Sequence, residues 1–126
     1  MPEPPTVSGT VLIIEDDPVM REALCTALAR EGYRAAQAAN GYQELTYLNF
    51  HPAPCLILLD MMMPGMDGWR FLEAFRQTPA WATIPVIITT SMGIASPDWA
   101  VSLGAVGLLK KPFDEDELMK PVRQLC

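Results

Sequence analysis

The stretch Cys55-Leu56-Ile57-Leu58-Leu59-Asp60-Met61-Met62-Met63-Pro64-Gly65-Met66-Asp67-Gly68 runs from an unbroken apolar segment into one acid, then into a methionine-rich loop. Five apolar residues without alternation suit a strand covered on both faces. An acid at the end of such a strand is costly to desolvate unless something pairs with it. Three other apolar runs also end in polar groups, and those groups are of complementary kinds.

Upstream, Val11-Leu12-Ile13-Ile14 is a second buried-strand pattern, followed by Glu15-Asp16-Asp17 and Pro18. Asp17 before Pro18 is an N-cap with proline at the first helical position. Met20, Leu24, Ala27 and Leu28 mark one face of the helix that follows, and Gly32 ends it. Residues 33–39 form a weaker, alanine-rich strand candidate. Asn40-Gly41 leads into a helix carrying Tyr42, Leu45 and Leu48, closed by His51-Pro52-Ala53-Pro54. Downstream, Asp67 caps a helix with Phe71, Leu72 and Phe75 on its apolar side, and Thr78-Pro79 stops it. Residues 85–90 are a fourth strand. Ser96-Pro97 opens a short helix that reaches about Leu103, and residues 105–109 are a fifth strand ending at Lys110-Lys111-Pro112. Asp114 caps the last helix, in which Pro121 removes a backbone donor and should bend the helix or thin its hydrogen bonds.

Strands thus alternate with helices five times across short connections, which predicts an α/β fold with a parallel sheet covered on both faces. In such sheets the site lies beyond the carboxyl ends of the strands.

The 126 residues match the size of one domain and are half hydrophobic, enough for a core. No run reaches the roughly 18 apolar residues of a membrane span. Residues 1–9 read as a disordered leader without signal-peptide character, and residues 10–126 as the domain. The net charge of −6 and the lack of a basic cluster argue against direct nucleic-acid binding. Cys25, Cys55 and Cys126 show no metal spacing and read as reduced thiols of a cytoplasmic protein. The methionine cluster reads as core and loop filling rather than a soft-metal site. His51 is expected to be solvent-exposed, and Trp69, Trp81 and Trp99 to be packing residues.

The strand ends supply Glu15 and Asp16, then Asp60, then Thr90 and Ser91, then Lys111. Carboxylates converging on one sheet edge repel one another and call for a cation. Oxygen ligands without His or Cys favour Mg²⁺ or Mn²⁺. A lysine beside a hydroxyl can hold phosphoryl oxygens, and a carboxylate can itself be the nucleophile. The set suggests phosphoryl transfer onto Asp60. Taken singly, each member has a plainer explanation. The first three acids could be helix caps, Asp60 a loop acid satisfied by amides, Thr90 and Ser91 ordinary strand-end residues, and Lys111 a solvated lysine.

Four ordered motifs, Val11-Leu12-Ile13-Ile14-Glu15-Asp16-Asp17-Pro18, the loop from Asp60 to Gly68, Thr90-Ser91 and Lys110-Lys111-Pro112-Phe113, make the chain resemble the receiver domain of bacterial two-component response regulators. The resemblance implies a flavodoxin-like doubly wound sheet of strand order 2-1-3-4-5. It implies Asp60 as phosphoacceptor, Glu15 and Asp16 as the acid pair, and Mg²⁺ held by Asp16, Asp60 and the backbone carbonyl of Met62, with Glu15 acting through water. Thr90 matches the switch hydroxyl, Lys111 the phosphate-binding lysine and Pro112 the cis-peptide position. The implied partners are a histidine kinase or phosphotransfer protein and a downstream protein or effector. The protein would be a signalling switch that catalyses its own phosphorylation and slow dephosphorylation, monomeric or weakly dimeric.

Three departures from the family pattern stand out. Leu108 occupies the place of an aromatic switch residue. The segment between Met92 and Gly104 is short and carries Pro97, so the fourth helix should be truncated or displaced. Met62 and Met92 hold the two flanking positions that are polar in many relatives, and should shield the acyl phosphate. Alternatives are an aspartyl-phosphate phosphatase or phosphotransferase, a flavin domain, or an interaction module independent of phosphorylation. The first lacks a second acid at Met62 and a cap domain; the second would need a phosphate loop where Glu15-Asp16-Asp17 stands.

Overall fold

Each expected strand and helix forms in the computed structural model, which describes residues 9–62 and 67–126. The order is β1 (Thr10–Ile14), α1 (Pro18–Arg30), β2 (Arg34–Ala38), α2 (Gly41–Phe50), β3 (Leu56–Asp60), α3 (Gly68–Arg76), β4 (Val86–Thr90), α4 (Pro97–Ser102), β5 (Gly107–Lys110) and α5 (Glu115–Leu125). A short 3₁₀ turn, Pro79–Trp81, follows α3 and was not expected. The proposed leader lies outside the described residues apart from Gly9, as do Met63, Pro64, Gly65 and Met66.

The five strands are parallel in the order β2-β1-β3-β4-β5. Side-chain alternation sorts the strand residues onto two faces. Val11, Ile13, Leu56, Leu58, Ile87 and Leu109 pack with Leu24 and Leu28 of α1 and Leu118, Met119 and Val122 of α5. Leu12, Ile14, Ile57, Leu59, Val86 and Ile88 pack with Leu48 of α2, Phe71, Leu72 and Phe75 of α3, and Ala100 of α4. Both faces of β1, β3 and β4 are therefore covered, which is why these strands read as continuous apolar runs.

The helix starts follow the caps. Asp17 Oδ1 accepts from Val19 N at 3.0 Å, Asn40 Oδ1 from Gln43 N at 2.9 Å, Asp67 Oδ1 from Arg70 N at 3.0 Å and Ser96 Oγ from Trp99 N at 3.1 Å. Asp114 and Glu117 make a reciprocal capping box. Gly32 and Gly104, at φ +85° and +93°, turn the chain out of α1 and α4. The fourth helix is truncated, at six residues. The fifth continues through Pro121 to Leu125.

Three expectations need correction. First, β5 begins at Gly107, not Ala105. Ala105 N donates to Ala100 O, so that residue completes the turn after α4 instead of the sheet. Second, α2 is rotated from its expected face. Gly41, Glu44 and Leu48 are buried while Tyr42 is 57% exposed, because burial follows the i, i+3, i+7 row from Gly41. Third, Cys55 and Cys126 are joined by a disulfide and only Cys25 is a free thiol. The fold carries the C-cap of α5 to the residue before β3, with Cα atoms 5.4 Å apart, inside the bridging range. No spacing rule could reveal a pair 71 residues apart. Among the described residues, no helix is long and apolar enough to cross a membrane.

Candidate acidic phosphoacceptor site

Asp60 ends β3 and Glu15 follows β1, and β1 and β3 are adjacent, so the topology places their carboxylates side by side. Asp16 joins them: one carboxylate oxygen from each of Glu15, Asp16 and Asp60 lies within 4.8 Å of the others. Asp60 and Glu15 are nearly inaccessible, 3% and 2% exposed, whereas Asp16 is open to solvent. Lys111 enters from the end of β5. Its Nζ donates to Glu15 Oε1 at 2.6 Å and stands 3.6 Å from Asp60 Oδ2. The Lys111–Pro112 peptide is cis.

Backbone groups fix these acids. Met62 N donates to Asp60 Oδ1 at 3.1 Å and Asp17 N to Glu15 Oε2 at 3.3 Å. Arg21 Nη1 donates to the Glu15 carbonyl at 2.7 Å, a positioning contact that the sequence did not single out. It could have been found as the cation four residues after the Asp17 cap, on the turn facing the acids. Gly68 lets α3 start against the site. A Cβ there would stand 2.7 Å from Met61 Cα and closer still to its sulfur, so only glycine admits this approach.

The electrostatics follow from burial. Burial pushes the Asp60 carboxyl up to about 7, and the close contact with Glu15 adds to the shift; the Met62 amide and Lys111 oppose it. For Lys111, burial alone would lower the ammonium's pKa, but contact with Glu15 and the charges of Asp60 and Glu15 outweigh it and raise the value. Three carboxylates facing one ammonium leave an excess of negative charge when all are ionised. A small oxygen-seeking dication relieves that excess.

Thr90 is at the same sheet edge and 1% exposed. Its Oγ1 accepts from Met92 N at 3.2 Å, and its carbonyl accepts from Lys111 N at 2.8 Å, so the backbone of Thr90 is tied to the lysine while its hydroxyl is turned to the following loop. Ser91 is exposed and Met92 half-buried. Lys110 donates from Nζ to the Gly93 carbonyl at 3.2 Å. The loop after β4 is thus tied at two points, to Thr90 and to β5. Leu108 pairs with Ile88 in the sheet and packs half-buried against the α2–α4 side of the core. Met61 is fully buried, whereas the neighbouring Met62 is 58% exposed.

Comparison with known proteins fits this geometry. The family model for the response regulator receiver domain matches residues 11–123. Sporulation initiation phosphotransferase F of Bacillus subtilis (strain 168) is 37% identical over 115 residues, covering 90% of each chain. Response regulator Rre1 of Synechocystis sp. is 34% identical over 118 residues, 92% of this chain and 51% of that protein. The chain spans about half the length of most of the curated relatives it matches, including Rre1. Among solved structures, the signal receiver domain of a signal transduction histidine kinase from Syntrophus aciditrophicus superposes with a TM-score of 0.82 at 31% identity, covering 94% of this chain and 89% of the other.

Proposed function

Because the chain belongs to the response regulator receiver domain family, we propose that it accepts a phosphoryl group on Asp60 from the phosphohistidine of a histidine kinase or phosphotransfer protein. Receiver domains are phosphoacceptor switches of two-component signalling. One observation carries the assignment to particular residues: Glu15, Asp16 and Asp60 meet within 4.8 Å while Lys111 bridges two of them.

An Asp60 carboxylate oxygen forms the new O–P bond as the donor's N–P bond breaks, its electron pair returning to the imidazole. Lys111, already between Glu15 and Asp60, needs only a small displacement to reach a phosphoryl oxygen on Asp60. The Thr90 hydroxyl accepts from Met92 N, so its own proton stays available for a second oxygen. Turning toward the phosphoryl group would draw on the loop tied by Met92 and Gly93, and so would shift α4. The all-oxygen acidic cluster fits Mg²⁺ or Mn²⁺; Asp16, Asp60 and the Met62 carbonyl would hold the ion directly and Glu15 through water. When bound, the ion neutralises charge building on the transferred group.

The change is read by a downstream protein at β5 and its flanking helices. Leu108 cannot supply an aromatic rotamer, so the signal travels through the Thr90–Met92 loop and the short α4. Exposed Met62 and half-buried Met92 flank the phosphoryl position and shield it from water. The working unit is a cytoplasmic switch, monomeric or weakly dimerising on phosphorylation, that catalyses only its own phosphorylation and slow dephosphorylation.

Incubation with a phosphohistidine donor and Mg²⁺ tests the proposal. Label should pass to the chain and vanish in Asp60→Asn. Equal labelling of that variant would place the acceptor elsewhere.

A further inference from the structure

The Cys55–Cys126 bridge joins two sulfurs in unlike settings. Cys55 is buried at the start of the central strand that ends in Asp60, whereas Cys126 is exposed at the C-cap of α5. We propose that this bridge is a thiol–disulfide exchange site for a low-molecular-weight thiol of the glutathione class, and that it latches the last turn of α5.

The asymmetry sets the direction of attack. An external thiolate reaches only the Cys126 sulfur. A new S–S bond forms there, the protein S–S bond breaks, and its electron pair leaves on Cys55, which takes up a proton. A second thiolate then attacks the external sulfur of the mixed disulfide, releasing Cys126 as a thiol and the reagent as its own disulfide. The protein gains two electrons and two protons; two reagent thiols lose them.

The fold accommodates the reduced form. Cys55 Sγ lies 3.4 Å from the Thr10 carbonyl oxygen. In the bridged state that sulfur has no proton to donate. Once reduced, it has an acceptor already in place, so the buried thiol is not left without a partner. Cys25 offers little competition, because burial pushes its thiol up and lowers its thiolate fraction.

The latch bears on a part of α5 with few other ties. Val122 is the last buried residue, and residues 123–126 are all exposed. Pro121 removes one backbone donor from the helix just before them. Apart from the helix's own hydrogen bonds, the polar and covalent ties of this turn among the described residues are the pair from Arg123 to Glu31 at the C-cap of α1, at 2.8 Å through both oxygens, and the disulfide. Beside it runs a groove of about 420 Å³ between β5 and α5, lined by Leu108, Lys120, Pro121 and Leu125 among others. Reduction would free one wall of that groove and leave the acidic site at the other end of β3 untouched.

The test equilibrates the full chain in graded glutathione buffers without denaturant, quenches in acid, alkylates under denaturing conditions and counts adducts by intact mass. The expected course runs from one alkylated thiol, Cys25, to three, through a glutathione adduct that maps to Cys126. Hydrogen exchange should then quicken at residues 122–126 by 10-fold or more in the reduced form and in Cys126→Ser, with β3 unchanged. Phosphorylation of Asp60 by acetyl phosphate should stay the same in both states, so failure of the phosphoacceptor reading and failure of the latch are distinguishable. Three alkylated thiols at every buffer ratio would overturn the proposal. So would a bridge that opens only on global unfolding, or exchange at residues 122–126 that ignores its state.

Discussion

The two sides of the sheet are held by different means. The α1/α5 side is clamped from outside: Arg30 pairs with Glu115 at 2.7 Å, Arg123 pairs with Glu31, and the disulfide fixes the end of α5. The α2–α4 side is held from within. There Met61 meets the backbone of Gly68, Phe71 and Phe75 pack ring to ring, and Trp69 touches Trp99 edge-on at 6.2 Å. That side also contains Glu44, fully buried, with neither carboxylate oxygen hydrogen-bonded. Its last helix has only six residues. The difference assigns different tasks to the two sides. The clamped side sits beneath the chain segment that delivers Lys111. Under the proposed function, the other carries α4 and the loop that Thr90 would move, where a marginal helix would favour switching.

Substitutions can break that contrast, and the largest effect is expected on the closely packed side. Gly68→Ala puts a Cβ against Met61 backbone, which cannot swing aside as a side chain could. It should cost about 3 kcal/mol, the upper range for overpacking, measured by urea unfolding. A cost below about 0.5 kcal/mol would mean that α3 is not pinned there.

Next comes Glu44→Leu, which should stabilise by roughly 1–3 kcal/mol at pH 8 by removing a buried polar group without a partner. The pH dependence gives a sharper reading. Burial raises the folded-state pKa of Glu44 well above its ordinary 4.5. The folded protein therefore holds a proton that the unfolded chain releases. This contribution is full below pH 4.5 and is lost as pH climbs from there through the raised value. Glu44→Gln should abolish that component of the slope, and an unaltered slope would show that Glu44 finds a partner. Smallest of all, Arg123→Ala removes a solvent-exposed pair and should barely move the unfolding midpoint. A large drop would mean that the outer clamps stabilise the domain as well as orient it.

Much of this was legible in the sequence, for identifiable reasons. Strands buried on both faces leave unbroken runs such as Leu56–Leu59, and Asp17, Asn40, Asp67, Ser96 and Asp114 announce helix starts locally. The polar residues after four strands could be read together because parallel topology sends every strand end to the same edge. What stayed hidden depends on long-range placement. Glu44 did not stand out, because Tyr42, Leu45 and Leu48 marked a helix face that leaves it out, whereas the buried row is Gly41, Glu44 and Leu48. The Cys55–Cys126 pairing needed α5 to return to the foot of β3. The Thr90 hydroxyl's engagement with Met92 N and the reach of Lys110 to Gly93 depend on loop geometry that no periodicity encodes.

The most direct test of the central claim is intact mass after incubation with acetyl phosphate and Mg²⁺, on the native chain beside Asp60→Asn. The native chain should gain one phosphoryl group, dependent on the divalent ion, and the variant none. No gain with either acetyl phosphate or a phosphohistidine donor, or an equal gain in Asp60→Asn, would contradict it.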